Sequence, residues 1–157
     1  MNEFYQKDII SIKDFDKEKL EKIFASTDKI MKLNPAERRE ICKGKTLAYL
    51  FYEPSTRTRL SFDSAIASVG GNSLGISDIT SSSAQKGESL ADTVRIMSIY
   101  SDVLVLRHTL DGSSRFAAEI SEKPVINAGS GTEEHPTQAI QDLYTIKKEK
   151  KKIDGLK

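Results

Sequence analysis

The run Thr46–Phe51, TLAYLF, contains no polar alternation, and a strand of that composition has to be covered on both faces, as strands of parallel sheets are. Three more strand-like runs follow it: NSLGIS, DVLVLR and KPVINAG. The segments between them have helical spacing. Ser55 to Ser68 carries Leu60, Phe62, Ala65 and Ile66, with Val69 next and Gly70-Gly71 where a left-handed cap belongs. Leu90, Val94, Met97 and Tyr100 share one face of a second such segment, GSSRFAAEI forms a short third, and HPTQAIQDLYTIKKEKK forms the last. Ahead of them all, Asp16 is placed to cap a helix striped by Leu20, Ile23, Phe24, Ile30 and Met31, which Asn34-Pro35 ends. Strand and helix alternate four times after that first helix. The predicted fold class is therefore α/β, a three-layer sandwich with a central four-stranded parallel sheet and helices on both faces, joined by right-handed crossovers. At 157 residues with 38% hydrophobic content, 1–157 is expected to form a single domain.

Charge narrows the function classes. Lysine and arginine number 24 and acidic residues 23, a formal net charge of +1, so no general field for polyanions is expected and anion recognition must be local. The single cysteine, Cys42, excludes an internal disulfide and a cysteine cluster for zinc, and reads as an ordinary buried or half-buried thiol. No run of about 18 apolar residues occurs, which argues against a membrane span. The N-terminus carries acids early and has no long apolar core, unlike a signal or transit peptide. A soluble, reducing, cytoplasmic setting is expected.

In open α/β sheets, ligands bind beyond the carboxyl ends of the strands, and the polar residues of this chain gather there. After the first strand comes Ser55-Thr56-Arg57-Thr58-Arg59. After the third comes Arg107-His108, and after the fourth Asn127-Ala128-Gly129 and then His135-Pro136-Thr137-Gln138. Pro54 and Ser55 suit a helix start, whose first turn leaves amide N–H groups unpaired under a partial positive charge. The hydroxyls add donors, and Arg57 offers a planar fork for phosphate or carboxylate oxygens. The Walker and dinucleotide glycine patterns are both missing, so a small phosphorylated molecule is expected rather than a nucleotide.

Each signal also has a plainer reading. STRTR by its spacing fits a simple cap with two solvent-facing arginines just as well. His108 and His135 each fit a structural histidine. The polar segment Asp78–Ser89 fits a surface loop, although loops of that length in compact domains are usually functional or mobile. Lys147 to Lys152 reads as a solvated helix end without the interleaved aromatics of a nucleic-acid site. From the residues alone the reading stops at a phosphate-like anion site on an α/β domain.

Four linked motifs, FYEPSTRTRLSF, SSSAQKGESLADT, VLRH and HPTQAIQDLYTI, resemble in order and spacing the carbamoyl-phosphate domain of the aspartate carbamoyltransferase catalytic chain. The resemblance covers essentially the whole chain. It implies that Ser55, Thr56, Arg57 and Thr58 hold the phosphate of carbamoyl phosphate and that Arg107 bridges phosphate and carbonyl oxygens. It further implies that His135 and Thr58 contact that carbonyl oxygen and that Gln138 contacts the carbamoyl amino group. Arg57, Thr58, Arg107 and His135 would be the catalytic set. Ser82 and Lys86 would belong to a loop that reaches the neighbouring subunit of a homotrimer. The implied reaction joins the carbamoyl group to the α-amino group of L-aspartate in pyrimidine synthesis, with no metal or organic cofactor.

Ornithine carbamoyltransferase shares STRTR and HPTQ. Glu53-Pro54, Lys86 and His108 resemble the aspartate enzyme more, and a lysine suits an acidic second substrate better than a cationic one. Family chains are about twice this length, so the resemblance is to the first domain, with the aspartate-binding domain absent and little turnover expected from the chain alone. Regulatory chains are compatible with the resemblance. Two other classes stay open: a non-catalytic phosphate-binding or assembly module, and a nucleic-acid-binding domain that uses the basic tail. No nucleic-acid or membrane partner is expected.

Overall fold

A computed structural model of the chain describes residues 3–77 and 87–155. Within them a four-stranded, all-parallel sheet has the order β2-β1-β3-β4, where β1 is Thr46–Phe51, β2 Asn72–Ile76, β3 Val103–His108 and β4 Val125–Ser130. Six helices surround it: α1 Lys17–Lys32, α2 Pro35–Arg39, α3 Thr56–Ser68, α4 Leu90–Tyr100, α5 Ser113–Ile120 and α6 Pro136–Lys150. The three-layer arrangement expected from the sequence is the one found.

Both faces of the sheet are covered over β1, β3 and β4, as the unalternated strands require, whereas the edge strand β2 is largely exposed. On one side Ala48, Leu50, Leu104, Leu106 and Val125 pack against Val94 and Met97 of α4 and Ala117 of α5. On the other, Leu47, Phe51, Val105 and Ala128 pack against Ile66 and Phe62 of α3, with Val69 and Cys42 closing the cluster. Cys42 is half-buried, and burial raises its thiol pKa. Four residues of the predicted stripes do not reach a core: Met31 is 55% exposed and Tyr100 61% exposed, each close to its helix C-terminus, and Leu60, 50% exposed, and Ala65 face solvent from α3.

Two elements were not expected. Asn34 does more than end α1: its side chain accepts from the amides of Ala36 and Glu37 while Glu37 returns a bond to the Asn34 amide, a capping box that starts α2. The N-terminal segment lies along the β4 edge, where Ile9 donates to Val125 O at 2.8 Å and accepts from the Asn127 amide at 2.8 Å. It covers an edge that would otherwise expose a row of unpaired backbone groups.

The strand order sets up the functional edge. β1, β3 and β4 are consecutive in the sheet, so the chain segments that leave their carboxyl ends emerge side by side. Phe51 pairs with Arg107, which fixes Arg107 level with the start of the loop to α3. Between β3 and β4 the pairing slips, from Leu106 opposite Asn127 to His108 opposite Ser130. A single residue, Arg107, therefore faces two, Ala128 and Gly129. Bulges of this kind re-aim a side chain, and this one lies at the guanidinium.

Candidate anion-binding site

Pro54, Ser55, Thr56, Arg57, Thr58, Arg107, His135 and Gln138 line one cleft of about 470 Å³ at the carboxyl edge of the sheet. A contiguous groove of about 660 Å³ shares Arg57, Thr58, His135 and Gln138 and continues over Ser61, Phe62, Ala65, Thr137 and Gln141. Three strand ends and two helix starts thus meet at one place.

Ser55 occupies the N-cap position of α3, yet its hydroxyl makes no capping bond, and no acid lies in the first turn. The first backbone bond of the helix runs from the Arg59 amide to Ser55 O at 3.2 Å, so the amides before it keep their donors for something else. The plain-cap reading of STRTR fails on this geometry. The two arginines also part company. Arg57 lines the cleft and has no hydrogen-bond or ion-pair partner among the described residues. Arg59, two residues on, turns away to pair with Asp63 at 3.2 Å and lies over the Tyr49 ring at 5.8 Å.

Arg107 is held from two sides. One terminal nitrogen donates to Glu53 Oε1 at 2.7 Å and the other to Ala128 O at 3.3 Å, while Nε is buried without a partner among the described residues. Gly129 makes the room: its φ of +121° is a conformation side chains rarely adopt, and a Cβ there would sit 3.2 Å from Arg107 Nη1.

His135 caps α6 with its own ring, Nδ1 accepting from the Gln138 amide at 3.4 Å with Thr137 Oγ1 at 3.2 Å. With Nδ1 accepting, the neutral ring carries its N–H at Nε2, which is enclosed and without a partner among the described residues. Burial lowers the His135 pKa, Arg107 lowers it further, and Asp142 opposes them. The side chain of Gln138 donates to Asp142 Oδ1 at 2.9 Å.

Some expected contributors fall elsewhere. Asn127 is 2% exposed and spends its amide on Ile10 O and its oxygen on the Gly129 N–H, so it shapes β4 and does not line the cleft. His108 accepts from the Leu110 amide, lies against Tyr52 with the rings tilted and their centroids 4.9 Å apart, and lines a separate hollow with Leu90 and Phe116. Ser82 and Lys86 lie outside the described residues. Glu53 is the contributor that sequence reasoning placed in a motif without a role; its pairing with Arg107 spans 54 positions and leaves no local signal. Of the basic tail, Lys147 pairs with Glu21 and Lys148 lies over Tyr144 at 5.4 Å.

An uncapped helix start, two arginines and an imidazole at the carboxyl edge of a parallel sheet are the class of arrangement that suits a small anion in an α/β domain. The chain belongs to the family described as aspartate/ornithine carbamoyltransferase, carbamoyl-P binding domain, which matches residues 7–148. It is 85% identical over its whole length to the aspartate carbamoyltransferase catalytic subunit of Nitrosopumilus maritimus, of which it covers 51%. It is 55% identical, over 96% of its length, to that of Sulfolobus acidocaldarius, of which it covers 50%. Among solved structures, the catalytic subunit of M. jannaschii aspartate transcarbamoylase superposes with a TM-score of 0.89 at 48% identity, over 96% of this chain and 49% of that one. Aspartate transcarbamoylase from Trypanosoma cruzi, in complex with carbamoyl phosphate and aspartate, does so with a TM-score of 0.89 at 36% identity, over 96% and 50%. The chain spans about half the length of the relatives it matches.

Proposed function

We propose that this chain is the carbamoyl-phosphate-binding half of an aspartate carbamoyltransferase, and that the cleft holds carbamoyl phosphate. The observation that carries the reading is the convergence on one cleft of donors unpaired among the described residues: the first turn of α3, the Arg57 fork, and the buried Nε2–H of His135. A phosphate fits the helix start and Arg57, with the hydroxyls of Ser55, Thr56 and Thr58 as further donors. The carbonyl oxygen then falls to Arg107, Thr58 and His135, and the carbamoyl amino group to Gln138.

In the reaction the α-amino nitrogen of L-aspartate bonds to the carbamoyl carbon, the bond from that carbon to the bridging oxygen breaks, and the amino group gives up a proton to the departing phosphate. N-carbamoyl-L-aspartate and phosphate result. Negative charge grows first on the carbonyl oxygen and then on the departing phosphate, and donors fixed in advance at both places lower the barrier without reorganising. The aspartate would be held mostly by a second, amino-acid-binding half, and proximity of the two substrates supplies much of the rest. Ser82 and Lys86 are proposed to reach the site of a neighbouring subunit in a homotrimer, with the enzyme cytoplasmic and its product serving pyrimidine synthesis. Relatives named as aspartate carbamoyltransferases across several archaea favour aspartate over ornithine as the acceptor.

Calorimetric titration with carbamoyl phosphate tests the reading. Binding that weakens on the order of 10- to 100-fold in Arg57→Ala, the loss of a charge-assisted pair, agrees with it. Equal binding by wild type and variant refutes it.

A further inference from the structure

The carboxylate of Asp142 is out of place in electrostatic terms. It stands one turn along α6 from Gln138, beside a cleft built for anions, and lines neither part of that cleft. A negative charge there opposes anion binding through Coulomb repulsion, so a compensating use is to be sought.

Its one hydrogen-bond partner among the described residues supplies that use. The side-chain nitrogen of Gln138 lies 2.9 Å from Asp142 Oδ1. A carboxylate only accepts, so the chemistry alone fixes which end of the Gln138 amide faces it: the nitrogen must, and the carbonyl oxygen is the end left for the cleft. With the amide turned over, oxygen would oppose oxygen. The backbone of Gln138 is engaged as well, its N–H donating to His135 Nδ1 at 3.4 Å, so the residue is held at both ends.

We infer that Asp142 is a positioning residue: it orients the Gln138 amide so that an acceptor, and not a donor, meets the primary amide of a carbamoyl-type ligand. The role rests on the reading of the cleft given above and adds to it the group that makes the cleft distinguish a carbamoyl from a bare phosphate. Without Asp142 the Gln138 amide turns freely and offers oxygen or nitrogen with little preference.

The test uses two phosphonates, phosphonoacetamide, which carries a primary amide, and methylphosphonate, which does not. Both are titrated into the wild-type chain, Asp142→Ala, Gln138→Ala and the double variant. The expected result is that Asp142→Ala binds methylphosphonate as well as or better than wild type, since a repelling charge has gone. Its preference for phosphonoacetamide falls roughly two- to tenfold, the range for one hydrogen bond. In the Gln138→Ala background the same substitution leaves the preference unchanged. Two results overturn the inference while leaving the cleft reading intact: an unaltered preference in Asp142→Ala, or equal weakening of both ligands, which marks a merely structural role. Failure of wild type to bind either phosphonate overturns the cleft reading and this inference with it.

Discussion

The Arg107 guanidinium donates to the Glu53 carboxylate at 2.7 Å, an ion pair at the mouth of the anion cleft that joins the ends of β3 and β1. The pair is mostly shielded, with side chains 20% and 34% exposed. Any anion that takes up the same nitrogen would compete with Glu53, so this acid is expected to temper the affinity of the cleft while it holds the arginine in place. Glu53→Gln keeps an acceptor but removes the charge. It is expected to bind inorganic phosphate roughly three- to tenfold more tightly by calorimetry, the gain from removing a unit charge near the ligand. Weaker binding would show that the carboxylate serves chiefly to aim Arg107.

Arg57 and Arg59 provide an internal control. Arg59 is committed to Asp63, one of whose oxygens is already buried without a partner among the described residues, whereas Arg57 has none there to lose. Arg59→Ala is expected to lower the melting temperature, because it strands a half-buried carboxylate, and to change phosphate affinity less than about twofold. Arg57→Ala is expected to do the reverse. Matching losses of affinity in both variants would mean that the motif acts as one diffuse basic patch.

That division shows how far the sequence could be read. The strand Thr46–Phe51 was legible because an unalternated apolar run has few other homes, and His135 as a helix start because proline follows it. The separate fates of the arginines were encoded too, in the four-residue spacing of Arg59 and Asp63 on one helix face. The capping box of Asn34 and Glu37 was equally local and readable. Illegible parts depend on distant pairings. Ile9 meets β4 across more than a hundred positions through a single bridge, too short to show alternation, and the Glu53–Arg107 pair exists only once β1 and β3 are neighbours. Asn127 has the composition of a site residue, and only its burial reveals that it bonds to the N-terminal segment instead.

His108 and His135 both titrate below the ordinary 6.5, mainly because burial disfavours the charged ring, with Arg107 adding to the effect at His135. A histidine whose folded pKa is depressed leaves stability intact above its unfolded value. Stability is lost as the pH falls from about 6.5 through the lowered value, because protonation then favours the unfolded chain. Bound phosphate reverses the sign at one ring only. A dianion beside His135 raises its pKa, so phosphate should move the His135 titration upward in NMR and leave His108, in its separate hollow, unmoved. Equal shifts at both rings, or at neither, would place the anion elsewhere.

Gly129 ties backbone geometry to the site. Alanine there meets both a positive φ of +121° and the Arg107 guanidinium at 3.2 Å. Gly129→Ala is expected to destabilise the fold by about 1–3 kcal/mol through backbone strain, and also to weaken phosphate binding by displacing Arg107. Thermal unfolding with and without phosphate separates the two effects. An unchanged ligand-induced rise in melting temperature would show that Arg107 does not depend on the bulge.

The most direct test is a crystal structure of the chain with phosphonoacetamide bound. If the cleft holds carbamoyl phosphate, the phosphonate lies against the amides of the first turn of α3 and the Arg57 fork. The amide oxygen should face Arg107 and His135 Nε2, with the amide nitrogen toward Gln138. A phosphonate bound at the lysine-rich end of α6, or seated in the cleft with its amide turned away from His135 and Gln138, would contradict it.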